Sequence, residues 1–448
     1  MIARWYKPRP RPDLDGSPLS KETFLTQSSR LAAEAVITIP GPSGSVPGQP
    51  ALLRAINDRA ALELLIAYGP LSRSQIGRLT GLSKPTASQL LARLEEAGLV
   101  IPVGPRTSGR TAQLYEVNPG AAYVGALDVS ASRIEIAIAD ITGRVVAQHT
   151  HRTPGRAGAQ AVPAVSAALA ATTEIIELDP SDLTSVVIGT PGAVNPQTGQ
   201  LGYAHHLPGW HKPGLVDEIA AAIGVPAELE NDVNLAALAE RAHGTAVDDA
   251  DFVHLWVDEG VGMAIVVGGR LYRGATGGAG EVAYLPVAGE PLPYHLGHSG
   301  RGAFQSMVAA PAVLALARQY RVRASTAGSA LRAAGTPDEL FDELGRRFAA
   351  GLAAIVATVD PAMIVLSGEV SRAGGERLRQ RVAAHLDELT IPKPALRLST
   401  VAGNPVLAGA TVAALEQARD LVFGSTVAEN SAIIRPPSTA IPRKVHPR

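Results

Sequence analysis

The chain has no cysteine among its 448 residues, which excludes disulfides, thiolate metal sites and cysteine nucleophiles together. It also lacks long apolar runs: no stretch reaches the roughly 18 uninterrupted apolar residues that a membrane-spanning helix needs. The first residues carry Arg4, Lys7, Arg9 and Arg11 without the apolar core of a secretory signal, so a cytoplasmic location is expected. Charged residues are few, 18%, and nearly balanced at a net −1. What is present, 46% hydrophobic residues with 45 Gly and 34 Pro, describes a folding α/β chain rich in turns. Its length suits two or three domains of roughly 100 to 200 residues each.

The near-neutral total hides an asymmetry. Residues 51–118 hold eight Lys/Arg against five Asp/Glu, whereas residues 119–448 hold 26 against 32. The basic excess therefore falls on the shorter segment, as a nucleic-acid module would have it. Composition divides the chain further. Residues 1–50, Pro-rich at both ends, are expected to form a flexible arm, and residues 51–118 a compact small domain. Residues 119–422 open with alternating strand patterns at Tyr123 to Val129, Arg133 to Asp140 and Arg144 to Thr150, and are expected to form an α/β domain with a mixed sheet. Residues 423–448 return to Pro and polar composition and are expected to be a loose tail.

Within the small domain, Asn57 is expected to cap a first helix that turns Leu62, Leu65 and Ile66 inward. Ser72, with Gln75 three residues on, has the pattern of a capping box opening a helix with Ile76 and Leu79 inward. Thr80-Gly81-Leu82 then makes a tight turn, and Ser83 caps a third helix in which Ala87, Leu90, Leu91 and Leu94 share one face. The opposite face presents Pro85, Thr86, Gln89 and Arg93, with Ser88 beside them and Lys84 at the helix start. Gln bonds an adenine edge bidentately, Thr packs on a thymine methyl, and Arg reaches guanine or phosphate, so this face suits a recognition helix. After Gly98, Leu99 to Val103 and Ala112 to Val117 are expected to pair as a hairpin whose tip carries Arg106 and Arg110, a wing fit for a minor groove. The competing reading is a three-helix protein-interaction module with a solvated basic face.

Four runs in the larger segment carry a resemblance: Gly189-Thr-Pro-Gly-Ala-Val194, His206-Leu-Pro-Gly-Trp210, Glu230-Asn-Asp-Val-Asn234 and Leu271-Tyr-Arg-Gly-Ala-Thr-Gly-Gly-Ala-Gly-Glu281. In order and spacing they resemble the ROK family of repressors, open reading frames and kinases, over about Ala51 to Ala418. The resemblance implies a winged helix-turn-helix followed by a two-lobed actin-like α/β domain with a sugar in its cleft. It implies that Asp232 matches the general base of the family's kinases and Glu281 a sugar-binding carboxylate, with Asn231 as a further hydrogen-bonding residue and His206, able to bond a hydroxyl, standing where the family usually has Asn. Such side chains fit the task because each sugar hydroxyl must be hydrogen-bonded when it leaves water.

Departures from the family pattern oppose catalysis. The phosphate loop Asp-x-Gly-Gly-Thr-Lys of the kinases reads Asp128-Val-Ser-Ala-Ser-Arg133 here, without the glycines that let backbone amides approach phosphates. The second loop, Gly-Thr-Gly-x-Gly in kinases, begins Asp258-Glu259-Gly260-Val261-Gly262, and the adenosine-side Gly-Gly reads Ser367-Gly368. Two carboxylates near a triphosphate repel it. The family's structural zinc lacks its ligands: its histidine position is Tyr284, and His295 and His298 are two ligands where four are usual. A further family glutamate is replaced by Ala303. The sequence thus predicts no catalytic residue, metal or cofactor. It predicts a DNA-binding repressor of carbohydrate-related genes, acting on a double-stranded operator as a homodimer or homotetramer and controlled by a sugar or sugar derivative. The alternatives are an active ATP-dependent sugar kinase and a ligand-independent DNA-binding scaffold.

Overall fold

The computed structural model describes residues 50–104, 112–153, 160–202, 207, 209–247, 249–291 and 302–428. These fall into two compact units, one of residues 50–121 with 419–428 and one of residues 122–418.

The small unit orders its elements α1 (Pro50–Tyr68), β1 (Leu71–Ser72), α2 (Arg73–Thr80), α3 (Lys84–Glu96), β2 (Val100–Val103) and β3 (Leu114–Val117). The three strands form an antiparallel sheet in the order β1-β3-β2, with Leu71 opposite Tyr115 and Val100 opposite Val117. This is the winged helix-turn-helix arrangement. Leu62, Leu65, Leu71, Ile76, Leu90, Leu91, Leu94 and Tyr115 are each at most 2% exposed and make its core. The helix starts follow their caps: Ser72 and Gln75 form the reciprocal capping box, and the Ser83 hydroxyl accepts from the Thr86 amide. Arg73 Nη2 donates to the Tyr115 hydroxyl at 2.6 Å, tying the start of α2 to the hairpin.

Three expectations need correction. Asn57 caps nothing, because α1 begins at Pro50: proline suits a first helical turn, and the Ala, Leu and Arg residues after it propagate a helix well. Arg93 does not stand free on the α3 face, since its Nε and Nη2 donate to Asp58 Oδ2 and Oδ1 of α1 at 3.1 and 2.5 Å. Asp58 is buried and needs that partner. The tail expected from Phe423 is helical to Ala428, because Phe423 is buried at 1% exposure and holds the helix end in place. The arm and the remaining tail lie outside the described residues.

The large unit contains two five-stranded sheets with the same plan. The first has the order β10-β7-β4-β5-β6, from β4 (Tyr123–Val129), β5 (Arg133–Asp140), β6 (Val145–Arg152), β7 (Leu183–Thr190) and β10 (Ala227–Asn231). The second has the order β13-β12-β11-β14-β15, from β11 (Phe252–Val257), β12 (Val261–Val267), β13 (Arg270–Leu271), β14 (Met363–Ser367) and β15 (Ala395–Leu398). In each sheet the first three strands form an antiparallel meander, and the next two add in parallel beside its first strand. A short ribbon, β8 (Ala193–Val194) with β9 (Leu201–Gly202), comes after β7.

Helices α4 (Ala161–Thr173) and α5 (Leu215–Ile223) accompany the first sheet, and α6 (Asp232–His243) leads from it towards the second. The second sheet is accompanied by α7 (Ala303–Val308), α8 (Ala310–Gln319), α9 (Ala327–Arg332), α10 (Asp338–Val359) and α11 (Gly368–Leu389). Helix α12 (Pro405–Ala428) closes the described chain. Each sheet has its own apolar cluster, one around Ile136, Ile188 and Leu169, the other around Leu255, Phe304 and Leu366.

Replacing Asp58 by Asn should remove a charge-assisted bond from a buried site and cost about 1–3 kcal/mol locally. Hydrogen exchange should show faster exchange of amides in residues 50–68 and 84–96. Unchanged protection there would mean that the Asp58–Arg93 pair does not hold α1 to α3.

Candidate functional site

On the small unit the α3 face carries Lys84, Pro85, Thr86 and Gln89 exposed and Ser88 half-buried, while Ala87, Leu90, Leu91 and Leu94 point into the core. The helix is therefore presented by its buried side, with the predicted readers outward. The Thr86 hydroxyl lies 2.8 Å from that of Ser83. Gln89 is thus the long polar side chain at the middle of this face. Arg106 and Arg110 lie outside the described residues.

In the large unit, β7 and β10 run parallel and place Thr190 opposite Asn231 at their ends. Glu230, 4% exposed, organises the turns around it. Its Oε1 accepts from the Asn231 amide and from Asn234 Nδ2, each at 2.8 Å, and its Oε2 accepts from Arg273 Nε at 2.7 Å. A single carboxylate thereby fixes the end of β10, the first turn of α6 and the loop that leads to Glu281. Asn231 caps α6 by accepting from the Asn234 amide at 3.0 Å and donates from Nδ2 to the Gly192 carbonyl at 3.0 Å. It retains one N–H for an occupant.

Asp232 opens α6 and accepts from the Val233 amide at 2.8 Å. Burial, then the neighbouring charge of Asp128 and more weakly that of Glu281, pushes its carboxyl up to about 7. Glu281 is also raised, by burial. Its position is set by Gly280, whose φ of +99° and close approach leave no room for a side chain: a Cβ there would lie 1.9 Å from the Met263 carbonyl of β12. The structure thus gathers Asp232, Glu281 and Asp128, with Asn231 beside them, as the sequence led one to expect for the first two and Asn231. His206 lies outside the described residues. Glu230, Arg273 and the Thr190 hydroxyl, which is buried without a partner, were missed as site residues. All three stand inside the quoted motifs, and only that placement pointed to them.

The nucleotide side differs. Asp128 and Glu135 face each other across β4 and β5 and share Asn404 Nδ2, at 2.7 and 3.0 Å. Burial raises Asp128 against the opposing Asn404 bond. At Glu135 burial acts upward too, but bonds from Asn404 and Arg133 outweigh it and leave this carboxyl lowered. In the second loop, Asp258 Oδ2 accepts from the Glu369 amide at 3.3 Å, in the first turn of α11. A helix N-terminus favours an anion, and here the protein supplies its own. His295 and His298 lie outside the described residues.

These features define the class: a winged-helix DNA-binding unit joined to a sugar-kinase-type fold whose phosphate loops have been rewritten. Residues 124–414 match the ROK family, and residues 56–111 match the MarR family. The chain belongs to the ROK family. It is 26% identical over 339 residues to the DNA-binding transcriptional dual regulator NagC of Escherichia coli K12, covering 72% of this chain and 82% of that protein. It is 26% identical over 243 residues to the xylose repressor of Caldicellulosiruptor bescii, covering 54% and 61%. Among solved structures, a ROK family transcriptional regulator, homolog of the E. coli MLC protein, superposes with a TM-score of 0.66 at 22% identity, covering 84% of this chain and 99% of that one. A ROK hexokinase from Thermus thermophilus superposes at 0.53 and 26% identity, covering 66% and 99%. No helix among the described residues is long and apolar enough to cross a membrane.

Asp232 holds its proton more tightly in the folded chain than at its ordinary value of 3.8, so its contribution to stability is complete below that value and lost as pH rises through about 7. Melting temperature measured across that window should fall with pH in the wild type. The fall should be shallower in Asp232→Asn, which carries no ionisable carboxyl. Parallel profiles would show that Asp232 is not desolvated as described.

Proposed function

We propose that the protein is a transcription repressor of carbohydrate-related genes, whose DNA affinity is set by a sugar or sugar derivative held by Asn231, Asp232, Glu281 and His206. In this reading residues 51–118 read the operator and residues 119–422 form the sensor, in a homodimer or homotetramer acting in the cytoplasm. Lys84, Pro85, Thr86, Ser88 and Gln89 meet the major groove, with Lys84 on phosphate, and Arg106 and Arg110 enter from the wing. Arg93 serves the domain's core through Asp58 rather than a base. The observation that carries the reading is the contrast within one unit. Sugar-side carboxylates are gathered around Asp232, while Asp258 occupies the helix N-terminus on the nucleotide side.

An active sugar kinase is favoured by one observation, the carboxyl of Asp232 near 7, which suits a general base. The phosphate-loop changes oppose it, since phosphoryl transfer depends on positioned amides and cations around the phosphates.

The test begins with an operator selected from random duplexes. Gln89→Ala should weaken specific binding by about 1–3 kcal/mol and relax preference at one base pair. An equal loss on specific and random DNA would remove Gln89 from base reading. Sugar control is tested with N-acetylglucosamine, xylose, glucose and their phosphates added to the operator titration. One of them should shift operator affinity about five- to 150-fold. Asp232→Ala and Glu281→Ala should abolish the shift and keep sugar-free DNA binding. No shift in the wild type would favour the scaffold reading.

A further inference from the structure

The final helix, α12, touches the elements that carry the site. Asn404 caps it by accepting from the Leu407 amide at 3.1 Å, while its Nδ2 grips Asp128 and Glu135. Val406 packs against Gly189 of β7, whose missing side chain makes the room. Ser185 of β7 donates its hydroxyl to the Ala414 carbonyl at 3.0 Å, and Gln417 donates to Glu228 of β10.

The closest contact is at Gly409. A Cβ there would lie 1.8 Å from the Leu235 carbonyl, so α12 meets α6 backbone to backbone, with no side chain between them to absorb a displacement. Leu235 is three residues after Asp232, in the first turn of α6. Anything that moves Asp232 moves the carbonyl against which α12 rests.

The same helix serves the small unit at its other end. From Arg419 onward its residues belong to the unit that contains α1 to α3. There Asp420 Oδ1 pairs with Arg59 of α1 at 2.7 Å, and Phe423 is buried.

We propose that α12 is the coupling element of the protein: sugar occupancy at Asp232 displaces the first turn of α6, Gly409 passes that displacement to α12, and the Asp420 end delivers it to α1. The inference rests on the sensor reading above. An unbroken helix transmits a shift along its length because its hydrogen-bonded turns do not compress independently. A two-state arrangement of such a packed element is what coupling between distant sites physically requires.

The test inserts three glycines between Ala418 and Arg419 of the full-length chain, leaving every side chain at both ends in place. N-acetylglucosamine, xylose and glucose are the probes. Two quantities are read for each protein: sugar affinity by calorimetry, and operator affinity with and without sugar. In the wild type the responsive sugar should shift operator affinity about fivefold or more. In the insertion variant the sugar should bind with affinity within about twofold of wild type, and the operator shift should fall below about twofold. A second readout keeps the test decisive if the insertion weakens DNA binding. In the wild type, sugar should alter hydrogen exchange in both residues 232–243 and residues 50–68; in the variant only the first change should remain. A wild-type operator shift, or a wild-type exchange change in residues 50–68, that survives the insertion overturns the proposal for α12 and leaves the sensor reading standing. Absence of any sugar effect on the wild type removes the sensor reading, and this inference with it.

Discussion

A buried carboxylate has to find donors inside the protein for the hydrogen bonds it loses to water, and at Glu230 those three donors come from two separate stretches of chain. The Asn231 amide, the Asn234 side chain and the Arg273 guanidinium converge on it. Meeting that requirement brings the end of β10, the start of α6 and the loop before Glu281 into one arrangement. The site depends on it: Asn231 is held as a helix cap, Asp232 is set at the first position of α6, and Glu281 is reached from the loop that Arg273 anchors. Removing Arg273 would leave a buried charge short of a partner, so the two residues are coupled in their effect on the site.

Around this anchor the two sides of the site have diverged. On the sugar side, burial first, then the charges of Asp128 and Glu281, push the Asp232 carboxyl up to about 7. On the nucleotide side, the carboxylates are consumed by the protein: Asn404 bridges Asp128 and Glu135, and Asp258 accepts from the first turn of α11. An ATP phosphate would compete with these internal bonds and meet like charge. The fold of a phosphotransferase is kept, while on the nucleotide side carboxylates that would repel phosphate make structural hydrogen bonds. A repressor needs only this much, a ligand whose binding favours one arrangement over another.

Much of this was legible in the sequence because it depends on local periodicity and capping chemistry. The Ser72–Gln75 capping box, the Ser83 cap and the buried side of α3 come from residues three and four apart, and each is found as expected. The strands from Tyr123 to Arg152 were visible for the same reason, through alternation. The ROK runs marked Asn231, Asp232 and Glu281 by their order along the chain. What escaped depends on partners far apart. Arg93 reads as a free base-contacting residue until Asp58, 35 positions earlier, is seen to claim it. Asn404 lies more than 260 positions from the two carboxylates it joins, and nothing in its neighbourhood announces them. The two-residue strand β1 is too short to carry a pattern, and the repeated sheet plan emerges only from strand pairing.

In the proposed function the large domain senses a sugar and does not phosphorylate it. The most direct measurement is an operator-binding titration against the responsive sugar, run with and without ATP and magnesium, with the sugar recovered afterwards for mass analysis. The proposed sensing role predicts that sugar alone changes operator affinity, that ATP and magnesium leave the curve where it was, and that the sugar is recovered unmodified. A response that requires ATP, accompanied by a phosphosugar that disappears in Asp232→Ala, would contradict it.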